Sequence, residues 1–506
     1  MLHLIKNELK EQDNYSLTEN GAVGYKSSQS ALVDINYKVA SLRNSDEDEI
    51  VALFDEAFKE NKEYALKWLF FARDIREGLG ERRLFRICYK RLFELDNILF
   101  RQNLHNIAEY GRWDDLISLL GISYDSDKYI ISIIRSQLAE DTYNYESNKP
   151  ISLLAKWMPS ENASSKQTKT LARQLMKLLN MSPRQYRLML SKLRSYSNVV
   201  ETQMCNNKWN EIDYEKVPSL ANLKYKDAFM KHDMERRLDY LSSVSKGESK
   251  LNMKVATPVD VVSKYRDETR YRRSIRDFDP TLELAWKNLK DIMVEDTLVV
   301  ADGSGSMLIE VAGNTRALDV ANALAIYTSE HNSGVYKNKY ITFSSKPQFV
   351  DFSNANGLYE KLQIAEKHSE ISNTNIEAVF NLILQTAIKN SVPQNEMIKN
   401  ILIISDMEFD KAQRMWLSSD PVLTQPLFDL IKRRYSDAGY ALPKLIFWNV
   451  NSRTQAIPLV ENELGVALVS GFSQNVLKMV MTNNLNPYDI LVETITSPRY
   501  DAIICK

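Results

Sequence analysis

The chain has 506 residues, 44% of them hydrophobic and 26% charged, a usage that excludes a wholly disordered protein and a length that excludes a single small module. Lys and Arg number 65 against 66 Asp and Glu, a formal net charge of -1. Nucleic-acid binding therefore cannot be argued from overall charge, and any basic surface must be local.

The opening MLHLIKNELKEQ places acids and polar residues where a secretory leader needs an apolar stretch. No run elsewhere approaches the ~20 apolar residues that span a bilayer, so the expectation is a cytoplasmic protein with no membrane partner. Residues 1–45 are polar, with an amphipathic trace only from Ala31 to Leu42, and read as an N-terminal arm laid on the body. Residues 46–285 carry apolar residues at three- and four-residue spacing, as in Tyr64, Leu66, Trp68, Leu69 and Phe70. Breakers at Gly78-Leu79-Gly80, Gly111 and Ser182-Pro183 divide this stretch into successive helical hairpins, an irregular α-helical repeat rather than a coiled coil. Near Val294 the pattern changes to short apolar runs alternating with amphipathic helices. Thr297–Ala301 precedes a helix over Ala317–Thr328, Tyr340–Phe343 one over Ile376–Ile388, and Ile401–Ile404 one over Leu423–Arg434. Leu445–Trp448 follows, then Val466–Val469 with a helix over Asn475–Met481. Such strands, apolar on both faces, predict an open parallel α/β sheet over residues 286–506.

Cys88, Cys205 and Cys505 follow no metal or redox spacing, the five histidines are scattered, and no HExxH pattern occurs. Oxygen chemistry stands instead at three strand ends. Asp302-Gly303-Ser304-Gly305-Ser306 follows the first strand, Thr374 precedes the helix at Ile376, and Ser405-Asp406 follows the strand Ile401–Ile404. In open α/β sheets ligands bind outside the carboxyl ends of strands. Carboxylates and hydroxyls converging there suit a hard divalent cation, Mg²⁺ better than Ca²⁺, and the two glycines would let the loop turn both serines to one side. An EF-hand would need Gly and Glu where Met307 and Gly313 stand, a dinucleotide fingerprint would need Gly at Leu308, and a nucleophile elbow would need Gly at Asp302.

Asp302-Gly-Ser-Gly-Ser306, Thr374 and Asp406 resemble the metal-ion-dependent adhesion site of von Willebrand factor A domains, and the preceding half is similar to the Ro-type TROVE module. Across nearly the whole chain the sequence resembles the Ro-like family called domain of unknown function 2828. The matching segments are Thr18–Ala22, Trp68–Arg76, Gly80–Arg82, Lys208–Ile212, Val217–Ser219 and Ile404–Phe409. The resemblance implies a HEAT-like ring or horseshoe of helical repeats followed by a Rossmann-like A domain. It implies Ser304, Ser306 and Thr374 as direct ligands of Mg²⁺, with Asp302 and Asp406 bound directly or through water. It also implies small noncoding or misfolded RNA, structured or single-stranded, as the partner of the helices.

Between Asn162 and Val200 stand eight basic residues and no acid: Lys166, Lys169, Arg173, Lys177, Arg184, Arg187, Lys192 and Arg194. The first four fall on one helical stripe able to track phosphates, and Tyr186 and Tyr196 are placed to stack on unpaired bases. The same residues also read as the solvated face of an amphipathic helix, given Leu171, Leu175, Leu178 and Leu179. Arg270, Arg272, Arg273 and Arg276 are interspersed with Asp267, Glu268 and Asp277 and read as salt bridges at a domain junction. Arg73, Asp74, Arg76, Glu77, Glu81 and Arg82 read as ion pairs between helices, and Trp68, Phe70, Phe71, Trp113 and Trp157 as packing. No nucleophile has a base near it in sequence, so binding rather than catalysis is expected. The first expectation is a Ro-like RNA-binding protein. The alternative is a scaffold that grips an acidic residue of a protein partner through the cation, within a phage particle or stress complex.

Overall fold

The computed structural model describes residues 15–17, 23–197, 199–266, 275–289, 296–312, 315–344, 346–368, 375–406, 425–450, 466–470 and 487–506. The chain forms two compact units, residues 1–65 with 253–496 and residues 66–252 with 497–506. A helical region thus precedes a region built on a mixed sheet.

In the sheet unit, β1 (Tyr15–Leu17) and β2 (Val23–Tyr25) form an antiparallel pair. Next come β3 (Thr297–Asp302), β4 (Glu310–Ala312), β5 (Thr315–Arg316), β6 (Lys339–Phe343), β7 (Phe349–Asp351), β8 (Asn400–Ser405), β9 (Lys444–Asn449) and β10 (Val466–Ser470). The main sheet has the order β10-β9-β8-β3-β6-β7. All its pairings are parallel except that of the edge strand β7 with β6. This is a doubly wound order, and connections leave β3 in one direction and return to β8 in the other, which makes the gap between their carboxyl ends the switch point.

Every residue of β3 and β8 is buried, because both faces are covered. Leu298, Val300, Ile401 and Ile403 share a core with Val379, Phe380 and Ile383 of helix Ile376–Lys389 and with Ile431 and Tyr435 of helix Gln425–Asp437. Alternation along the strand sends Val299 to the other face, where helix Ala317–His331 packs on β3 and β6. That helix is buried from Ala317 through Ser329. The strands and three of the four helices expected from the sequence form within a few residues of their expected bounds. The fourth helix, over Asn475–Met481, lies outside the described residues.

The unit boundaries differ from those expected. Ala31–Lys38 is not part of an arm on the surface: it is a helix with Leu32, Ile35 and Tyr37 fully buried, packed against β10 and helix Pro487–Ile495. Its first turn is capped by Glu60, which accepts hydrogen bonds from Ser30 Oγ at 2.8 Å, from Leu32 N at 3.2 Å and from Ala31 N, as the positive end of a helix favours. Nor does the sheet unit begin near residue 286. Val259, Val261, Val262 and Tyr265 of helix Pro258–Tyr265 are buried, and that helix packs on helix Ala317–His331. Tyr265 Oη donates to Glu283 Oε1 at 2.6 Å, and Glu283 in turn accepts from the backbone of Leu358 and Tyr359 at 2.8 and 2.9 Å.

The helical unit is centred on aromatic packing, with Trp68 and Phe70 fully buried and Phe70 meeting Phe85, Tyr89 and Tyr110 edge to face. Gly78 is required by close approach, since a Cβ there would lie 2.0 Å from the carbonyl oxygen of Phe71. The alternating charges after Trp68 do form ion pairs, but mostly with residues distant in the chain. Arg73 reaches Asp115 at 2.6 Å, both almost fully buried, and Arg86 bridges Asp114 and Asp115. The last ten residues belong here rather than to the sheet unit. Arg499 pairs with Asp74 at 2.9 Å and Glu109 at 3.0 Å, Tyr500 stacks on Tyr110, and Asn103 hydrogen-bonds both backbone groups of Ile504. Arg270, Arg272 and Arg273 lie outside the described residues. Arg276 donates to the carbonyl of Arg266, which pairs with Glu310.

Candidate functional site

The end of β3 runs straight into the loop that the sequence singled out. Asp302 is the last residue of β3 and is only 2% exposed. Its Oδ1 accepts from the backbone N–H of Ser304 at 2.8 Å, and its Oδ2 accepts from Ser405 Oγ at 2.7 Å. Ser405 ends β8, and Asp406, 1% exposed, follows it. Adjacent parallel strands therefore bring two carboxyl-bearing residues more than a hundred positions apart to neighbouring carboxyl ends. Ser304 and Ser306 are half-buried, their Oγ atoms 2.9 Å apart. In an octahedral Mg²⁺ site with bonds of about 2.0–2.1 Å, adjacent oxygens lie about 2.9 Å apart. The 2.9 Å separation is that of a hydrogen bond between the two hydroxyls; the oxygen-only chemistry of these groups is what fits such an ion.

Thr374 lies outside the described residues. Asn375, which follows it, caps helix Ile376–Lys389 by accepting from Ala378 N. Ser405 was read from the sequence, with Asp406, as oxygen chemistry at a strand end but not as a metal holder; the parallel register of β3 and β8 gives it its contact with Asp302. Gly305 does not have the positive φ that would demand glycine, and a Cβ there would meet nothing within 4 Å. The expectation that Gly305 is needed for the loop to turn is thus corrected: the turn does not depend on its conformational freedom. Among the described residues no group of three or more His, Cys, Asp or Glu side chains gathers.

The basic segment folds as two helices, Lys166–Leu179 and Pro183–Tyr196. Ser165 caps the first, Asn180 ends it in the left-handed conformation, and Ser182, Pro183 and Gln185 start the second with a capping box. Both pack on helix Tyr124–Glu146, burying Leu175, Leu179, Tyr186, Leu190 and Leu193. The eight cations then divide. Arg194 is structural: its guanidinium donates to the carbonyls of Ala155 at 2.8 Å and Met158 at 2.6 Å and to Ser160 Oγ at 2.8 Å, and burial lowers its pKa. Arg187 pairs with Glu161, and Lys192 lies 3.9 Å from Glu146. Lys166, Arg173, Lys177 and Arg184 are exposed and Lys169 half-buried, and none has an acidic partner among the described residues. Tyr186 is corrected. It is fully buried, its hydroxyl donating to the carbonyl of Pro159 at 2.8 Å, and burial pushes its pKa well up, so it offers no face to a base.

Among the described residues no helix is long and apolar enough to cross a membrane. A doubly wound sheet with an oxygen-lined switch point, together with a helical unit, defines the architectural class. The chain belongs to the family described as Domain of unknown function (DUF2828), whose model matches residues 18–138 and 128–297. A second model, Domain of unknown function (DUF7788), matches residues 296–494. The chain is 32% identical over 522 aligned positions to "Uncharacterized protein L728" of Acanthamoeba polyphaga mimivirus, covering 95% of this chain and 87% of that one. It is also similar, at 12% identity and a TM-score of 0.33, to the crystal structure of Deinococcus radiodurans RO (RSR) protein, over 91% of this chain and 92% of that one, a likeness too slight to argue from.

Proposed function

We propose that the protein binds RNA, as a Ro-like protein whose helical unit is a TROVE-type repeat array and whose sheet unit is a von Willebrand A-type domain holding Mg²⁺. The observation that carries the RNA reading is the set Lys166, Lys169, Arg173, Lys177 and Arg184 on two successive helices, four exposed and Lys169 half-buried, with no acidic partner among the described residues. Cations neutralise phosphates and release condensed counterions, so affinity falls with salt in proportion to the number of contacts, roughly -0.7 per phosphate on a log–log plot for single strands. Five contacts give a slope of roughly -3.5, and Lys169→Glu, Arg173→Glu and Lys177→Glu together should reduce it by roughly 2. Titration of the full-length protein with labelled RNA at several salt concentrations measures this. An unchanged slope in the triple variant would remove the surface.

Asp302, Ser304, Ser306, Thr374 and Asp406 are the proposed holders of the cation, and the chemistry of the site is binding rather than catalysis. When bound, the ion supplies a positive centre for an acidic group. This supports a second reading, favoured by the ordered Asp302–Ser405 pair: a scaffold that grips a carboxylate of a protein partner. Partner recovery lost on chelation, with no RNA bound, would favour it over the first. A cytoplasmic location is part of the proposal.

A further inference from the structure

With Tyr186 buried, bases must find another surface if this protein holds RNA, and the fold presents one at the far end of the same helix. Helix Tyr124–Glu146 ends beside the last turn of helix Pro183–Tyr196. Tyr143 is 63% exposed, with the Lys149 ammonium 5.8 Å from its ring centroid. Tyr145 has Lys192 Nζ 4.2 Å from its ring centroid and meets Tyr196 edge to face at 4.9 Å. Tyr196 Oη donates to the carbonyl of Lys149 at 3.0 Å, tying the loop after one helix to the end of the other. Tyr145 and Tyr196, both half-buried, are thereby held together with Lys192, while Tyr143, two residues from Tyr145 and so on a different side of the helix, stands exposed with Lys149. Arg184, Leu188, Ser191 and Lys192 lie exposed along the helix that leads to them.

Two helix C-termini favour nearby cations, which accounts for Lys149 and Lys192 but not for the rings. Single-strand binders combine basic tracks with aromatic faces on which unpaired bases stack, and a duplex, whose bases already stack on each other, has no free face to give. We propose that Tyr143 with Lys149, and Tyr145 and Tyr196 with Lys192, which also lies 3.9 Å from Glu146, offer aromatic faces to successive unpaired bases of single-stranded RNA, reached along the exposed side of helix Pro183–Tyr196 that carries Arg184 and Lys192. The inference rests on the RNA reading above and adds to it a place and a division of labour, rings for bases and ammonium groups for phosphates.

The test uses the full-length protein and two end-labelled probes followed by fluorescence anisotropy: a short oligouridylate, and an abasic strand with the same number of phosphates. Wild type should bind the uridylate roughly fivefold or more tighter than the abasic strand, since stacking contributes about 1–3 kcal/mol per base. Tyr143→Ala, at an exposed position, should reduce that preference severalfold, and Tyr143→Phe should keep it. Lys192→Gln should weaken both probes alike. If wild type binds neither probe, the RNA reading itself falls. Equal binding of the two probes by wild type, or an undiminished preference in Tyr143→Ala, overturns the stacking surface and leaves the RNA reading standing.

Discussion

At the carboxyl ends of β3 and β8 the polar groups are few and mostly buried, whereas on helices Lys166–Leu179 and Pro183–Tyr196 they are many and mostly exposed. The difference governs how much each can tell. A carboxylate 2% exposed, like that of Asp302, would be costly without partners, so the hydroxyl and N–H that meet it report an organised site. Exposed cations face no such demand. Their arrangement becomes informative only after those with structural duties, Arg194 above all, have been subtracted.

The largest effect should come from the buried side of this comparison. Asp302→Asn keeps the shape but removes the charge, and should lower Mn²⁺ or Mg²⁺ affinity, followed by calorimetry or Mn²⁺ paramagnetic resonance, by at least about a hundredfold. Wild type that binds neither ion would refute the cation site. Ser405→Ala should come next, a loss of about 10–100-fold with the fold intact, because a partner that orients a ligand carboxylate matters nearly as much as the ligand. Ser405→Thr should restore much of the affinity.

On the exposed side, Arg194→Ala should destabilise the protein by about 2–3 kcal/mol in denaturant unfolding, since it strands the carbonyls of Ala155 and Met158. Arg173→Ala should change stability by less than about 0.5 kcal/mol while weakening RNA binding. If the two arginines behave alike in both measurements, the division of the basic segment into structural and available cations is wrong.

Much of the sheet was legible because strands covered on both faces must be apolar along their middles, as Leu298–Ala301 and Ile401–Ile404 are. The helix boundary at Ser182-Pro183 was legible because capping chemistry is local. Helix Ala31–Lys38 was legible only as an amphipathic trace; its burial was not, since Asp34, Asn36 and Lys38 are buried along with its apolar residues. Asp34 is satisfied by Ser28, and Lys38 donates to the carbonyl of Lys26. These partners could not be assigned before the chain had folded.

By itself, then, the sequence determined the two kinds of architecture, the strand ends that carry oxygen chemistry and the segment rich in cations, because each depends on periodicity or on neighbours within a few residues. Only the tertiary structure decided that Ser405 holds Asp302, that residues 31–38 and 258–265 belong with the sheet, that residues 497–506 belong with the helices, and that Tyr186 is buried while Tyr143 is not. Those outcomes turn on which surfaces are covered and by what. Which element covers which is a property of residues brought together across the chain, and a local pattern encodes it only where a strand is apolar on both faces.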